Sequence, residues 1–293
     1  MKKHAFLIMA HTDFSLLEKL IVLLDNPYND IYLHIDKNSN KDLLPDFSLK
    51  HSKLTVIPSI SVNWGGHSQI ICELNLLKCA QPNKYEYYHL LSGVDLPIKS
   101  NQYIHNFFKQ NTGKEFMYIN QVCSENENLH FLERIKYYYF FQNIIGRNSG
   151  RIIRIYEILQ DISLKVQKYL KIDRSKKANI EFYKGSNWFS ITNNLATFLI
   201  ENEHQIKKIF SNTLCADELF LQTLAMQSPY KDNIVCRNFR YIDWERGNPY
   251  TFQLEDYASL LSSDNLFARK FSNKTDSRII DAVYKQMLLE NDS

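Results

Sequence analysis

The chain has 293 residues, 44% hydrophobic and 23% charged, a balance that supports a sizeable folded core and excludes intrinsic disorder. Its 35 basic and 32 acidic side chains leave a net charge of +3, too small for a nucleic-acid footprint, and 8 Gly with 7 Pro exclude collagen-like or linker-rich designs. Cys72, Cys79, Cys123, Cys215 and Cys236 are an odd set without C-x-x-C spacing, so they read as small buried hydrophobes of a reducing compartment, with no disulfide framework and no zinc site.

In chain order, the pattern predicts a strand over His4 to Ala10, a helix over Ser15 to Leu24, and strands over Ile31 to Ile35 and Leu54 to Ile57. Apolar residues at helical spacing mark Ser68 to Ala80, and Tyr87 to Leu91 reads as a buried strand. The rhythm is β-α-β, so an open, mostly parallel Rossmann-like sheet flanked by helices is expected. Ligands of such sheets bind beyond the carboxyl ends of the strands. Each predicted strand is followed by polar or turn residues: His11, Asp36, Trp64-Gly65-Gly66, and Ser92-Gly93-Val94-Asp95. One such residue is an ordinary cap or turn former, whereas four at one edge point to a site.

From about Gln121 to Lys177 the composition turns aromatic and basic, with Arg134, Lys136, the run Tyr137 to Phe141, and a long apolar pattern through Ile152, Ile153, Ile155, Leu159, Ile162, Val166 and Leu170. Arg147, Arg151, Arg154, Lys165, Lys168 and Lys171 accompany it. The plain reading is a core-packing helix with a solvated basic face; the sharper one is a surface that leans on anionic lipid headgroups. Further on come a strand over Asn187 to Thr192, a helix from Asn193, a helix opened by Cys215-Ala216-Asp217-Glu218 and running through Met226, and a last helix over Ser277 to Leu289. In a first helical turn, Asp217 and Glu218 would suit the helix dipole.

The sequence holds no G-x-G-x-x-G, no G-x-x-x-x-G-K-[ST] and no H-E-x-x-H. A D-x-D pair is also absent, and Asp243-Trp244-Glu245 is only a weak substitute for a divalent-ion site. Phosphate charge would then fall to Arg or Lys.

The ordered set of His11, HID at 34–36, NWGG at 63–66, LLSGVDLPIKS at 90–100, KGSNWFSIT at 184–192, ADELFLQT at 216–223 and LFARKF at 266–271 resembles the core-2/I-branching β-1,6-N-acetylglucosaminyltransferase family, which includes peptide O-xylosyltransferases. The likeness is to its short bacterial members. It implies a GT-A type nucleotide-sugar fold, one domain over 1–293 with a nucleotide-sugar half (1–115) and an acceptor and catalytic half (116–293). It also implies a UDP-sugar co-substrate, inversion at the anomeric carbon and no metal or other cofactor. Carried over by motif, His11, Asp36, Trp64, Gly65 and Asp95 would line the donor pocket, and Lys270 would stabilise the departing diphosphate. Glu218 would take the acceptor proton. Arg134, Ser186, Trp188 and Trp244 would face the acceptor, an indole being suited to the apolar side of a sugar ring. Where the family usually carries an arginine some twenty residues before the lysine, this chain has Tyr250, so Arg246 or Arg269 is expected to substitute.

The expected function is transfer of GlcNAc or xylose to a glycan hydroxyl in bacterial surface polysaccharide synthesis, with a cytoplasmic location, a lipid-linked acceptor and peripheral contact with the inner membrane face as extensions, and no nucleic-acid partner. Two other classes remain in view. A glycosidase would pair Glu218 with Asp217 or Asp95 and raise the pKa of one of them. A non-catalytic carbohydrate-binding protein would lack a base, yet Glu218 is present.

Overall fold

The computed structural model describes residues 2–120, 131–178 and 180–292. Its strands are β1 (His4–Ala10), β2 (Asn29–Ile35), β3 (Lys53–Val56), β4 (Tyr87–Ser92), β5 (Leu96–Pro97), β6 (Glu115–Ile119), β7 (Gly185–Thr192), β8 (Ile234–Val235), β9 (Arg240–Ile242) and β10 (Phe267–Arg269). Seven form one sheet in the order β3-β2-β1-β4-β7-β6-β8, and β5-β10-β9 form a second. Parallel pairing joins β1 to β2 and β4, β2 to β3, and β6 to β8, whereas β7 runs antiparallel to both its neighbours. The expected mixed α/β architecture with a mostly parallel sheet is therefore present.

Burial on both faces explains the uninterrupted apolar runs of β1 and β2. Ala5 and Leu7 of β1 pack with Ile70, Leu74 and Leu77 of the helix Ser68–Ala80, and Phe6, Ile8 and Ala10 pack on the opposite side with the helices Phe14–Leu23 and Ser277–Asn291. The chain runs from β1 outward to β2 and β3, then returns to place β4 on the other flank of β1. That reversal opens a crevice at the carboxyl ends of β1 and β4, the position at which α/β sheets take ligands. Register keeps the ends level, with Ala10 opposite Ile35 and Met9 opposite Ser92. Gly93 is required there, because a Cβ on it would lie 2.8 Å from the Cβ of Ala10.

The smaller sheet is held to the larger by Arg240. Its buried guanidinium donates to Ser190 Oγ, to the carbonyls of Leu90 and Phe189, and stacks on Phe267 at 4.8 Å. Burial lowers its pKa to about 9. These bonds bring β10, and with it Arg269 and Lys270, to the edge of β4.

Several expectations need correction. The chain from Cys215 does not open a helix: Ala216–Glu218 is a separate 3₁₀ turn, entered through Cys215 at φ +48°, and the helix begins at Phe220. Asp217 therefore has no capping role. The apolar stripe after Arg151 is not core, since the helix Arg151–Tyr169 buries only Gln160 and Gln167. Among the cysteines, Cys72 and Cys215 are buried thiols, but Cys79 is exposed and Cys236 is disulfide-bonded, so five reduced buried residues is wrong; Cys123 lies outside the described residues.

Candidate active site

Two groups of side chains meet across the Trp64-Gly65 turn. The first is cationic. His11, exposed just beyond β1, lies within electrostatic reach of Asp36, Arg147, Lys270 and Arg269; partial desolvation lowers its pKa most, Asp36 opposes that, and the three cations lower it further. The Arg147 guanidinium covers the Trp64 ring at 4.9 Å, and Arg269 covers Trp188 at 4.1 Å. Arg269 also pairs with Asp95, Nε to Oδ1, at 3.6 Å. Among the described residues no carboxylate pairs with Lys270, which leaves its ammonium available for an incoming anion.

Asp95 and Asp36 serve this edge from below. Asp95 is fully buried and accepts from the Ser92 amide (2.8 Å) and hydroxyl (2.5 Å). Burial raises its pKa, and Arg269 and Ser92 pull it back. Its oxygens are turned onto Ser92 and Arg269, and the ion pair orients the guanidinium. Asp36 is buried too, and its two oxygens accept from the amides of Asn38 and Val62 at 2.7 Å each, fastening the loops beyond β2 and β3.

The second group is centred on Glu218. Arg134 donates to its Oε2 at 2.8 Å and the Lys184 ammonium lies 3.8 Å from the same oxygen, so two cations fix the carboxylate by one side. With its side chain 36% exposed, the other side is open to a substrate hydroxyl. Arg134, expected at the acceptor, is thus in direct contact with the expected base. Asp217, next in the chain, points inward instead. Gln69 donates to it at 3.1 Å and accepts from the Gly65 amide at 2.7 Å, while the Cys215 amide donates to the Gly65 carbonyl at 2.9 Å. These bonds tie the Glu218 turn to the Trp64-Gly65 turn. Gly65 sits at φ +69°, where a side chain would be strained and would also press on Gln142 and Cys215. Burial, with Glu218 second, pushes the Asp217 carboxyl up to about 7; burial, with Asp217 second, also raises the pKa of Glu73, whose carboxylate has no hydrogen-bond partner among the described residues.

The sequence profile of the Core-2/I-Branching enzyme family matches residues 4–262. The chain belongs to that family. It is 21% identical to Xylosyltransferase 2 of Rattus norvegicus over 95% of its own length and 33% of that protein's. It is 23% identical to Xylosyltransferase sqv-6 of Caenorhabditis elegans over 89% of the chain and 34% of the relative, and to Xylosyltransferase 1 of Pan troglodytes over 94% and 30%. The chain spans about a third of the length of these relatives.

Within this Core-2/I-branching chain the remaining expected residues are placed unequally. Arg246 is held by Asp243 (2.6 Å) and Asp256 (2.8 Å) and stacks on Tyr250 at 4.0 Å, so it is already committed where a substitute phosphate ligand was expected. The Asp243 carboxylate, a candidate ion ligand from the sequence, is taken up by Arg246. No group of three or more His, Cys, Asp or Glu side chains among the described residues is arranged to hold a metal ion. Trp188 is buried beneath Arg269 and presents no open face, whereas Trp244 is 62% exposed and offers its indole to solvent. Ser186 is half-buried, with its carbonyl taken by Gln222 at 2.6 Å.

Three contributors receive no site role from the sequence: Gln69, Arg147, and Lys184, which opens the 184–192 motif. Arg147 carries no motif of its own and looks from the sequence like part of the basic helix that follows. It reaches the site because Gln142 donates to the Trp64 carbonyl (3.1 Å) and Asn143 accepts from the Ser68 amide (3.2 Å), which lays the segment 142–148 against the Trp64-Gly65 turn.

Proposed function

We propose that the chain is an inverting glycosyltransferase that moves xylose or GlcNAc from a UDP-sugar to a glycan hydroxyl. The observation that carries this reading is the pairing of an anion-receiving edge, formed by Arg147, Arg269, Lys270 and His11, with a cation-fixed carboxylate, Glu218, across a hydrogen-bonded turn. In the proposed step the acceptor oxygen attacks C1 of the donor sugar while Glu218 takes the hydroxyl proton. The bond from C1 to the diphosphate oxygen breaks, and the negative charge that develops on UDP is met by Lys270 and the arginines. Attack from the face opposite the leaving group inverts C1. Arg147 and Arg269 together stand in for the family arginine missing at Tyr250. Family membership and the names of the relatives support the transferase class and the choice of xylose or GlcNAc. The exposed apolar and basic helix Arg151–Tyr169 supports an acceptor carried on a lipid.

A glycosidase reading gains the raised pKa of Asp217 beside Glu218 and that of the fully buried Asp95. Burial of Asp217 and its bond to Gln69 weigh against it, because a general acid must reach the glycosidic oxygen. The deciding experiment follows release of UDP by the purified chain from a panel of UDP-sugars, with an acceptor, in excess EDTA. Transfer from UDP-xylose or UDP-GlcNAc that persists in chelator is expected. Complete loss on chelation, restored by manganese, would overturn the metal-free account, and hydrolysis of glycosides without UDP dependence would replace it with the glycosidase.

A further inference from the structure

The helix Arg151–Tyr169 is turned inside out. Its two buried side chains are Gln160 and Gln167, and both are used as anchors. Gln160 accepts from the Phe141 amide at 3.1 Å, and Gln167 accepts from the Tyr138 amide at 2.7 Å and donates to the Tyr138 carbonyl at 3.0 Å. A helix held to its protein by amide hydrogen bonds leaves its apolar side elsewhere. Ile152, Ile155, Leu159, Ile162, Val166 and Tyr169, spaced alternately by three and four residues, make one stripe, and each is at least 42% exposed. At 1.5 Å per residue this stripe runs for about 26 Å. A continuous apolar band of that length on a surface marks an interaction site.

Charge selects the occupant. Between Arg151 and Lys171 there are five basic residues against two acidic, with Arg151 and Arg154 at one end of the helix and Lys165, Lys168 and Lys171 at the other. The spacing of the stripe would also suit a coiled-coil seam, but two copies of this chain, paired in either direction, set basic ends against basic ends. An anionic lipid surface complements both features at once: the isoleucines enter the acyl boundary, and the cations meet headgroup phosphates along the flank. No helix among the described residues is long and apolar enough to cross a membrane.

We propose that the helix Arg151–Tyr169 is a docking face that lies flat on an anionic lipid surface. The segment 142–148, which precedes it, is hydrogen-bonded to the Trp64 turn. Docking through the helix therefore holds the cationic edge close to the lipid, where a lipid-carried acceptor would be met. The surface itself does not depend on the glycosyltransferase reading.

Sedimentation of the full chain with vesicles tests it, phosphatidylglycerol-containing against pure phosphatidylcholine, at low and high salt. Binding confined to anionic vesicles and weakened by salt is expected from the wild-type chain alone. Replacement of Ile155 and Ile162 together by Glu should lower partitioning by tenfold or more, and Lys165→Glu with Lys168→Glu by about fivefold for each cation removed. All four positions are exposed, and a retained melting temperature shows that the fold is kept. Light scattering on the same samples measures self-association. Failure to bind anionic vesicles at low salt overturns the proposal, and so does a dimer that separates on the Ile155 and Ile162 changes without any vesicle binding.

Discussion

Two amphipathic helices of this chain share a period and are mounted in opposite senses. Ser68–Ala80 turns Ile70, Leu74 and Leu77 onto β1 and carries even Glu73 inside, whereas Arg151–Tyr169 turns two glutamines inward and its isoleucines out. Hydrophobic period reveals a face but not its direction. Direction follows from what waits to receive the face. The first helix crosses between strands of a parallel sheet and has apolar β1 beneath it. The second follows a run whose exposed backbone at Tyr138 and Phe141 is better satisfied by amide side chains than by hydrocarbon.

The largest effect that could break this comparison is on stability. Leu74→Ala should cost about 2–5 kcal/mol, the range for a buried leucine truncated in a core, while Ile155→Ala should stay within about 0.5 kcal/mol, as an exposed position does. Urea unfolding of both variants checks this pair, and equal losses would mean that Ile155 is packed.

A second contrast concerns charge. Both the Lys270 edge and the 151–171 arm are basic, yet only the edge is proposed to meet the diphosphate. Lys270→Ala should lower turnover about 100-fold, the scale of a lost group that stabilises developing charge. Lys165→Ala should leave turnover on a soluble acceptor unchanged. Steady-state UDP release distinguishes them.

A smaller effect concerns pH. Asp217 is pushed up to about 7 by burial, so the folded chain keeps a proton there that the unfolded chain releases near pH 4. Its contribution to stability is complete below pH 4, declines as pH rises to about 7, and is level above. Asp217→Asn removes this slope. The melting temperature of the variant relative to wild type should therefore climb between about pH 4 and pH 7 and level off above, and a constant difference would show that Asp217 is not buried as a neutral acid.

Much of the fold is legible because parallel strands buried on both faces need long apolar runs: β1 is read to the residue, and the helix Ser68–Ala80 likewise. The strand Glu115–Ile119 and the three-strand sheet are not, since their pairing spans distant parts of the chain and β5, β9 and β10 are only two or three residues long. At the site, residues that follow strands or sit in specific motifs could be nominated, His11, Glu218, Arg269 and Lys270 among them. Whether a carboxylate faces substrate or props up a neighbour could not, because Asp95 and Asp36 owe their buried positions to backbone amides and to Arg269. Arg147 was hidden for the same reason: nothing in its own sequence neighbourhood announces that the Gln142 and Asn143 side chains will carry it to Trp64.

Glu218 is proposed as the base of a UDP-sugar transfer whose donor edge is separate from it. The most direct test is Glu218→Gln, measured both for transfer rate and for UDP-induced rise in melting temperature. A rate lower by about 100-fold or more with the UDP shift intact is expected. Near-normal transfer in that variant would contradict that role and remove Glu218 from the chemistry.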